Sequence, residues 1–138
     1  MPGIARVPAI LVASLLAGAV TAGAHHSFAM FDQTAKVTLS GVVARFEWTN
    51  PHAYIEIDVP SSDEDGAAAH WTIELGSPSI LLQSGWKFND LEPGDEVTVE
   101  ISPLRNGSPG GLLEYVVLPD GRTLGNGPGR GPSGGAGQ

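Results

Sequence analysis

The stretch KVTLSGVVARFEWTNPHAYIEIDV, residues 36–59, decides how this chain folds. Its second half alternates cleanly: Ala53, Ile55, Ile57 and Val59 share one parity and His52, Tyr54, Glu56 and Asp58 the other, the period of a strand with one buried face. Its first half alternates in two phases, because Val37 and Leu39 lie on one parity and Val42, Ala44, Phe46 and Trp48 on the other. A slip of one residue sends side chains to the opposite face, and a bulge at Gly41 would absorb it while bending the strand. The pattern predicts a long, bent first strand, a turn at Asn50-Pro51 and a second strand over residues 52–59.

Residues 60–68 form an exit loop. A third strand, HWTIEL at residues 70–75, then buries Trp71, Ile73 and Leu75 while His70, Thr72 and Glu74 face away. A short helix follows, with Ser77 as N-cap, Pro78 at its first position, Ile80 and Leu81 or Leu82 as the buried face, and Gly85 as the stop. After a turn at Pro93-Gly94-Asp95, Val97, Val99 and Ile101 mark a fourth strand. The loop SPLRNGSPGG leads to a fifth, LLEYVVL, closed by the turn PDGR and a short return at Thr123 and Leu124. Three strands, one short helix and two strands is the element order of an OB-fold-like, five-stranded Greek-key barrel. The expected class is all-β, with an open β-sandwich as the competing architecture. Trp48, Trp71 and Trp86 are expected in its core.

The two ends read differently. Arg6 precedes an apolar run over residues 9–20 that is too short for a bilayer span, and Ala22-Gly23-Ala24 supplies a small-x-small cleavage pattern. Residues 1–24 are expected to be a cleaved signal peptide, leaving no stable membrane span, and residues 25–124 to form the barrel domain. Residues 125–138, mostly Gly, Pro and Ser, are expected to be a disordered tail.

The 138-residue chain has a formal net charge of −8, and losing Arg6 with the leader makes it −9. Phosphate binding draws on clustered Lys and Arg, so neither nucleic acid nor an anionic lipid surface is an expected partner. With no cysteine, disulfides, thiolate metal sites and cysteine nucleophiles are excluded. No serine sits in a glycine-flanked elbow, and no carboxylate pair stands out, so the expectation is a non-enzyme. The acidic run SSDEDG lacks the helices and later Glu of a calcium loop, and GNGPGRG opens no helix that would cradle a phosphate.

The combination HHSFAMFD, FEWTNPHAYIEIDV, SPSILLQSGW, LEPGDEVTV, PLRNG and LPDGRTL resembles a family of small exported bacterial proteins of unknown function, marked by an HHSF start and an NPH motif. The resemblance runs from His25 to about Leu124. It implies an exported, periplasmic domain and no particular activity.

Two constellations could carry chemistry. OB-folds bind ligands on the face of strands two and three, between the loop joining strands one and two and the loop joining strands four and five. Asn50 and His52 lie on the first loop and Arg105 and Asn106 on the other, an amide, imidazole and guanidinium set suited to an anionic or sugar-like ligand. Turn chemistry at Asn-Pro and a surface ion pair at Arg105 explain the same residues without a ligand. The second constellation is a copper site. Cleavage after Ala24 gives His25 a free amine beside its imidazole, and cleavage after Ala22 puts a histidine third, both copper(II) chelates. His25, His26 and His52 would then be the ligands, with Met30 as a soft donor for copper(I). The plain alternative is that His25 and His26 merely precede Phe28, Met30 and Phe31 as these pack onto the barrel. His70 is expected to be a surface histidine. The leading expectation is a periplasmic or secreted accessory domain that binds a small ligand or a periplasmic protein, and the alternative is a copper-binding protein.

Overall fold

The computed structural model describes residues 28–63 and 66–127. The expected signal peptide, His25, His26 and all but three residues of the expected tail lie outside them. The elements are β1 (Val37–Glu47), β2 (Tyr54–Val59), β3 (Ala69–Glu74), α1 (Pro78–Gln83), β4 (Glu96–Pro103), β5 (Gly110–Val117) and β6 (Thr123–Gly125). β1 pairs antiparallel with both β2 and β4, β2 with β3, and β4 with β5; the ring closes where β3 meets β5 in parallel, Ile73 opposite Gly111. This is a closed five-stranded barrel with one short helix between β3 and β4, the OB-fold. β6 adds to β5 outside the ring, Leu124 opposite Val116.

Closure depends on β1 serving two partners. Gly41 lies where it crosses between them: a Cβ there would stand 2.6 Å from the Asp58 carbonyl oxygen, so only glycine allows the close approach. The phase slip falls elsewhere than expected. Val37, Leu39, Gly41 and Val43 hold one parity, and the register against β2 shifts between Val43 and Arg45, leaving Ala44 as the extra residue. Val43 is buried, while Val42 is exposed. The pair Val42-Val43 reads equally well in either phase, which is why alternation alone misplaces the bulge. β5 carries a second shift, between Glu100 and Ile101 of its partner, with Glu114 as the unmatched residue.

Ala53, Ile55, Ile57, Ile73, Val97 and Ile101 fill the barrel as their parities predict. α1 is capped by Ser77, whose Oγ accepts from the Ile80 N–H, and ends at Gly85 with φ +90°. Six residues present only one side chain inward: Leu81 is buried, whereas Ile80 and Leu82 are exposed. Trp86 is buried and donates its indole N–H to the Gly125 carbonyl at 2.8 Å, while Trp48 and Trp71 pack against the core from its margin. Order continues past Leu124, since Gly125 pairs with Tyr115 and the Asn126 N–H donates to the Glu114 carbonyl. The folded chain therefore reaches three residues beyond the expected boundary. Among the described residues no helix is long and apolar enough to cross a membrane.

Candidate functional site

The loop joining β1 and β2 and the loop joining β4 and β5 both lie toward the end of β3. The Ala53 N–H donates to the Gly76 carbonyl, and the Thr72 N–H to the Pro109 carbonyl. Residues 28–32 span the two loops. Phe31 is buried and bridges Leu104, and the Asp32 N–H donates to the Pro103 carbonyl. Arg105 grips the same segment: its backbone N–H donates to the Met30 carbonyl at 2.9 Å, its Nε to the Ala29 carbonyl at 3.2 Å, and its guanidinium stands 3.8 Å from Asp32. Asn106 closes its own turn by accepting from the Ser108 N–H. Asn50 is exposed at the turn and its side chain has no partner among the described residues. Arg105 and Asn106 thus anchor residues 29–32 and shape a turn, and of the expected four it is His52 that lines the concavity described next.

That concavity, of about 410 Å³, is walled by Phe28, Pro51, Ile80 and Leu112 and carries His52, Glu74 and Asn126 among its polar groups. His52 Nδ1 lies 3.1 Å from the Leu75 carbonyl, which can only accept, so Nδ1 carries the hydrogen and Nε2 is left for solvent or a ligand. Glu74 is opposite Leu112 on β5 and Tyr54 on β2. Its carboxylate receives no hydrogen bond among the described residues and has only His52 Nδ1 at 3.5 Å for company. Burial pushes the Glu74 carboxyl above its ordinary range, and the nearby His52 opposes that rise. Tyr54 is raised as well, first by burial and then by Glu74 and Glu47. Asn126 gives its side-chain oxygen to the Gly76 N–H, and its NH2 has no partner among the described residues. No described side-chain polar atom is both fully buried and unpaired. The free Glu74 oxygens and the Asn126 NH2 therefore open onto accessible space, and the concavity is that space.

Two further depressions share Val42 and Pro60 at the other end of β2. Their ionisable linings are Glu96, which is exposed, and Asp58 and Asp63, of which Asp58 is bonded to His70 at 2.7 Å, so neither gathers unpaired polar groups in shelter. His70 stays on the surface as expected, its pKa raised by the bond to Asp58. Among the described residues no group of three or more His, Asp or Glu side chains is placed to hold a metal ion, and His25 and His26 lie outside them.

The sequence of the chain from residue 12 to residue 114 matches the family described as "Family of unknown function (DUF6152)". The chain belongs to this family. The DUF6152 match contains His52, Glu74 and Leu112 and ends before Asn126. No curated protein matches the chain. Among solved structures, the crystal structure of Rim1, a mitochondrial single-stranded DNA binding protein from S. cerevisiae, is similar with a TM-score of 0.48 and 15% identity over 61% of this chain and 92% of that one. The likeness is one of fold. Against the expectation that nucleic acid is not a partner stands the finding that this crystal structure is of a protein named for binding single-stranded DNA. Net negative charge weakens long-range attraction to phosphate without deciding what a barrel face holds.

Glu74 and Asn126 are the site residues that sequence reasoning passed over. Glu74 sits on the outward parity of β3, which marks it as solvated, and its shelter comes from a concavity lined in part by groups distant in sequence, Phe28 and Leu112 among them. Asn126 opens a glycine-rich run and carries no local signal at all.

Proposed function

We propose that this chain is an exported, non-enzymatic accessory domain of the bacterial periplasm that holds a small ligand in the concavity beside His52. The observation that carries the reading is Glu74: a mostly buried carboxylate without a hydrogen-bond donor, in an apolar-walled concavity whose volume falls in the range of small-molecule sites. Leaving such a group unpaired costs stability, and proteins tolerate that cost chiefly where a ligand supplies the partner. The non-enzymatic reading is supported by Ser77, the one hydroxyl nucleophile in the lining, whose Oγ is engaged with the Ile80 N–H and Ser79. Export rests on the leader pattern of residues 1–24. An NMR titration of the mature chain with a fragment library tests the site: ligands should shift the amides of Gly76, Ser77 and Asn126, and Glu74→Ala should abolish the shifts. A library that leaves these amides unmoved would sink the reading. The mass of the protein recovered from periplasm, starting after Ala22 or Ala24, tests export.

A copper site at the same place is the second reading. Its support is that His52 keeps Nε2 free while Nδ1–H is held by Leu75, a common arrangement for a metal-binding imidazole, and that Phe28 stands in the same wall. His26 precedes Phe28 by two residues in the sequence. Stoichiometric copper uptake by the processed protein, lost in His52→Ala and on adding one residue before the processed terminus, is the expected result. Uptake unchanged by both alterations would remove His52 and the free amine from the site.

A further inference from the structure

Resting on the reading that the concavity is a ligand site, we propose that its ligand is a small organic cation, a protonated amine carried on an apolar body, with Glu74 as its counter-charge. The charge inventory carries the argument. The nearby cations are already committed: Arg105 to the Ala29 carbonyl and Asp32, and Lys36 to Ser102 and Glu114. No Lys or Arg lines the concavity, so an anionic ligand would enter beside an unpaired carboxylate with no fixed positive charge to meet it. A cation gains what Glu74 lacks, a charged donor in a partly dry site where such bonds are strongest. Pro51, Ile80 and Leu112 offer the apolar body a wall. Phe28, 55% exposed, supplies an aromatic ring face that attracts ammonium groups. The chain's formal charge of −8 concentrates cations around it and steers them in. The Asn126 NH2 leaves room for an acceptor atom elsewhere on the ligand. This class is the reverse of the anionic ligand that Arg105 suggests from sequence.

The pH dependence follows from the groups around Glu74. His52 faces it from the loop before β2 and Tyr54 from β2; β5 contributes Leu112 and the chain beyond β6 contributes Asn126, both uncharged. As pH falls through the raised pKa of Glu74, the carboxylate gains a proton and a bound cation loses its partner. Tyr54, whose pKa is raised above its ordinary value, stays neutral across this change.

Three probes of one shape separate the possibilities: benzylamine, benzyl alcohol and benzoate, titrated into the mature chain and read by the Gly76, Ser77 and Asn126 amide shifts. At pH 7.5 benzylamine should bind about tenfold or more tightly than benzyl alcohol, as one charged hydrogen bond implies, and benzoate more weakly than either. In Glu74→Gln, which keeps the side chain's shape, the advantage of benzylamine should shrink to about twofold. The amide spectrum of that variant verifies its fold. Benzyl alcohol or benzoate binding as tightly as benzylamine, or an advantage that survives Glu74→Gln, overturns the cation while leaving a ligand site in place. Silence of all three amides toward every probe overturns both.

Discussion

Two carboxylates near the seam of the barrel, Glu114 and Glu74, are buried to nearly the same degree, with side-chain exposures of 19% and 15%, yet they are treated in opposite ways. Glu114 is the bulge residue of β5, and the bulge turns it to accept from Lys36 Nζ at 2.6 Å and from Ser102 Oγ at 2.7 Å. Lys36 also donates to Ser102, whose hydroxyl is fully buried, so the three groups satisfy one another. Glu74 has a histidine at 3.5 Å and no donor. Equal burial with unequal company separates a carboxylate that holds the fold from one that the fold merely supports.

The strongest way to break this contrast is Glu114→Ala. It strips the acceptor from a fully buried hydroxyl, and urea unfolding should register a loss of about 1–3 kcal/mol. A smaller effect follows from His52→Ala, which removes a half-buried bond to the Leu75 carbonyl and should cost about 0.5–1.5 kcal/mol. If it costs as much as Glu114→Ala, the His52 end is structural and the contrast fails.

Glu74→Gln should go the other way and stabilise. A carboxyl whose folded pKa is raised above the ordinary 4.5 binds its proton more tightly when folded. Its protonation therefore stabilises the fold fully below about pH 4.5, and that benefit is lost as pH rises through the folded value. The variant should melt higher than the parent at pH 7, and the difference should vanish in melts at pH 4. A variant that melts lower at pH 7 would show Glu74 to be well solvated after all. The smallest effect belongs to Arg105→Ala, which should speed hydrogen exchange at the Asp32 amide while moving Tm by no more than about 2 °C, since exposed ion pairs contribute little. A large Tm loss would mean that residues 28–32 stabilise the barrel as a whole.

The alternation of Ala53, Ile55 and Ile57, the Ser77-Pro78 start and the turn glycines made the barrel legible, because each is a local constraint that the chain obeys locally. The slip in β1 was legible as an event and illegible as a position, since Val42 and Val43 satisfy either phase. In LLEYVVL four residues are buried, and the two with no exposed surface at all, Leu113 and Val116, lie three apart, an odd spacing that in a strand is itself the mark of the bulge at Glu114. His52 was found because turn residues beside a strand mouth are few. Glu74 was missed because parity says only which side of a sheet a residue takes. Whether that side is wet depends on residues distant in sequence that line the same concavity, such as Phe28, Leu112 and Asn126.

Phe28 and Gly127, far apart in sequence, stand in the wall of one concavity. An affinity tag or fusion partner joined directly before Phe28 or after Gly127 would therefore be tethered beside His52 and Glu74, where it can compete with whatever a binding assay sets out to detect. A tag inserted at Ser61 and Ser62, beyond the far end of β2, leaves that wall clear. Comparing the two placements is the plainest control for every measurement of what this protein binds.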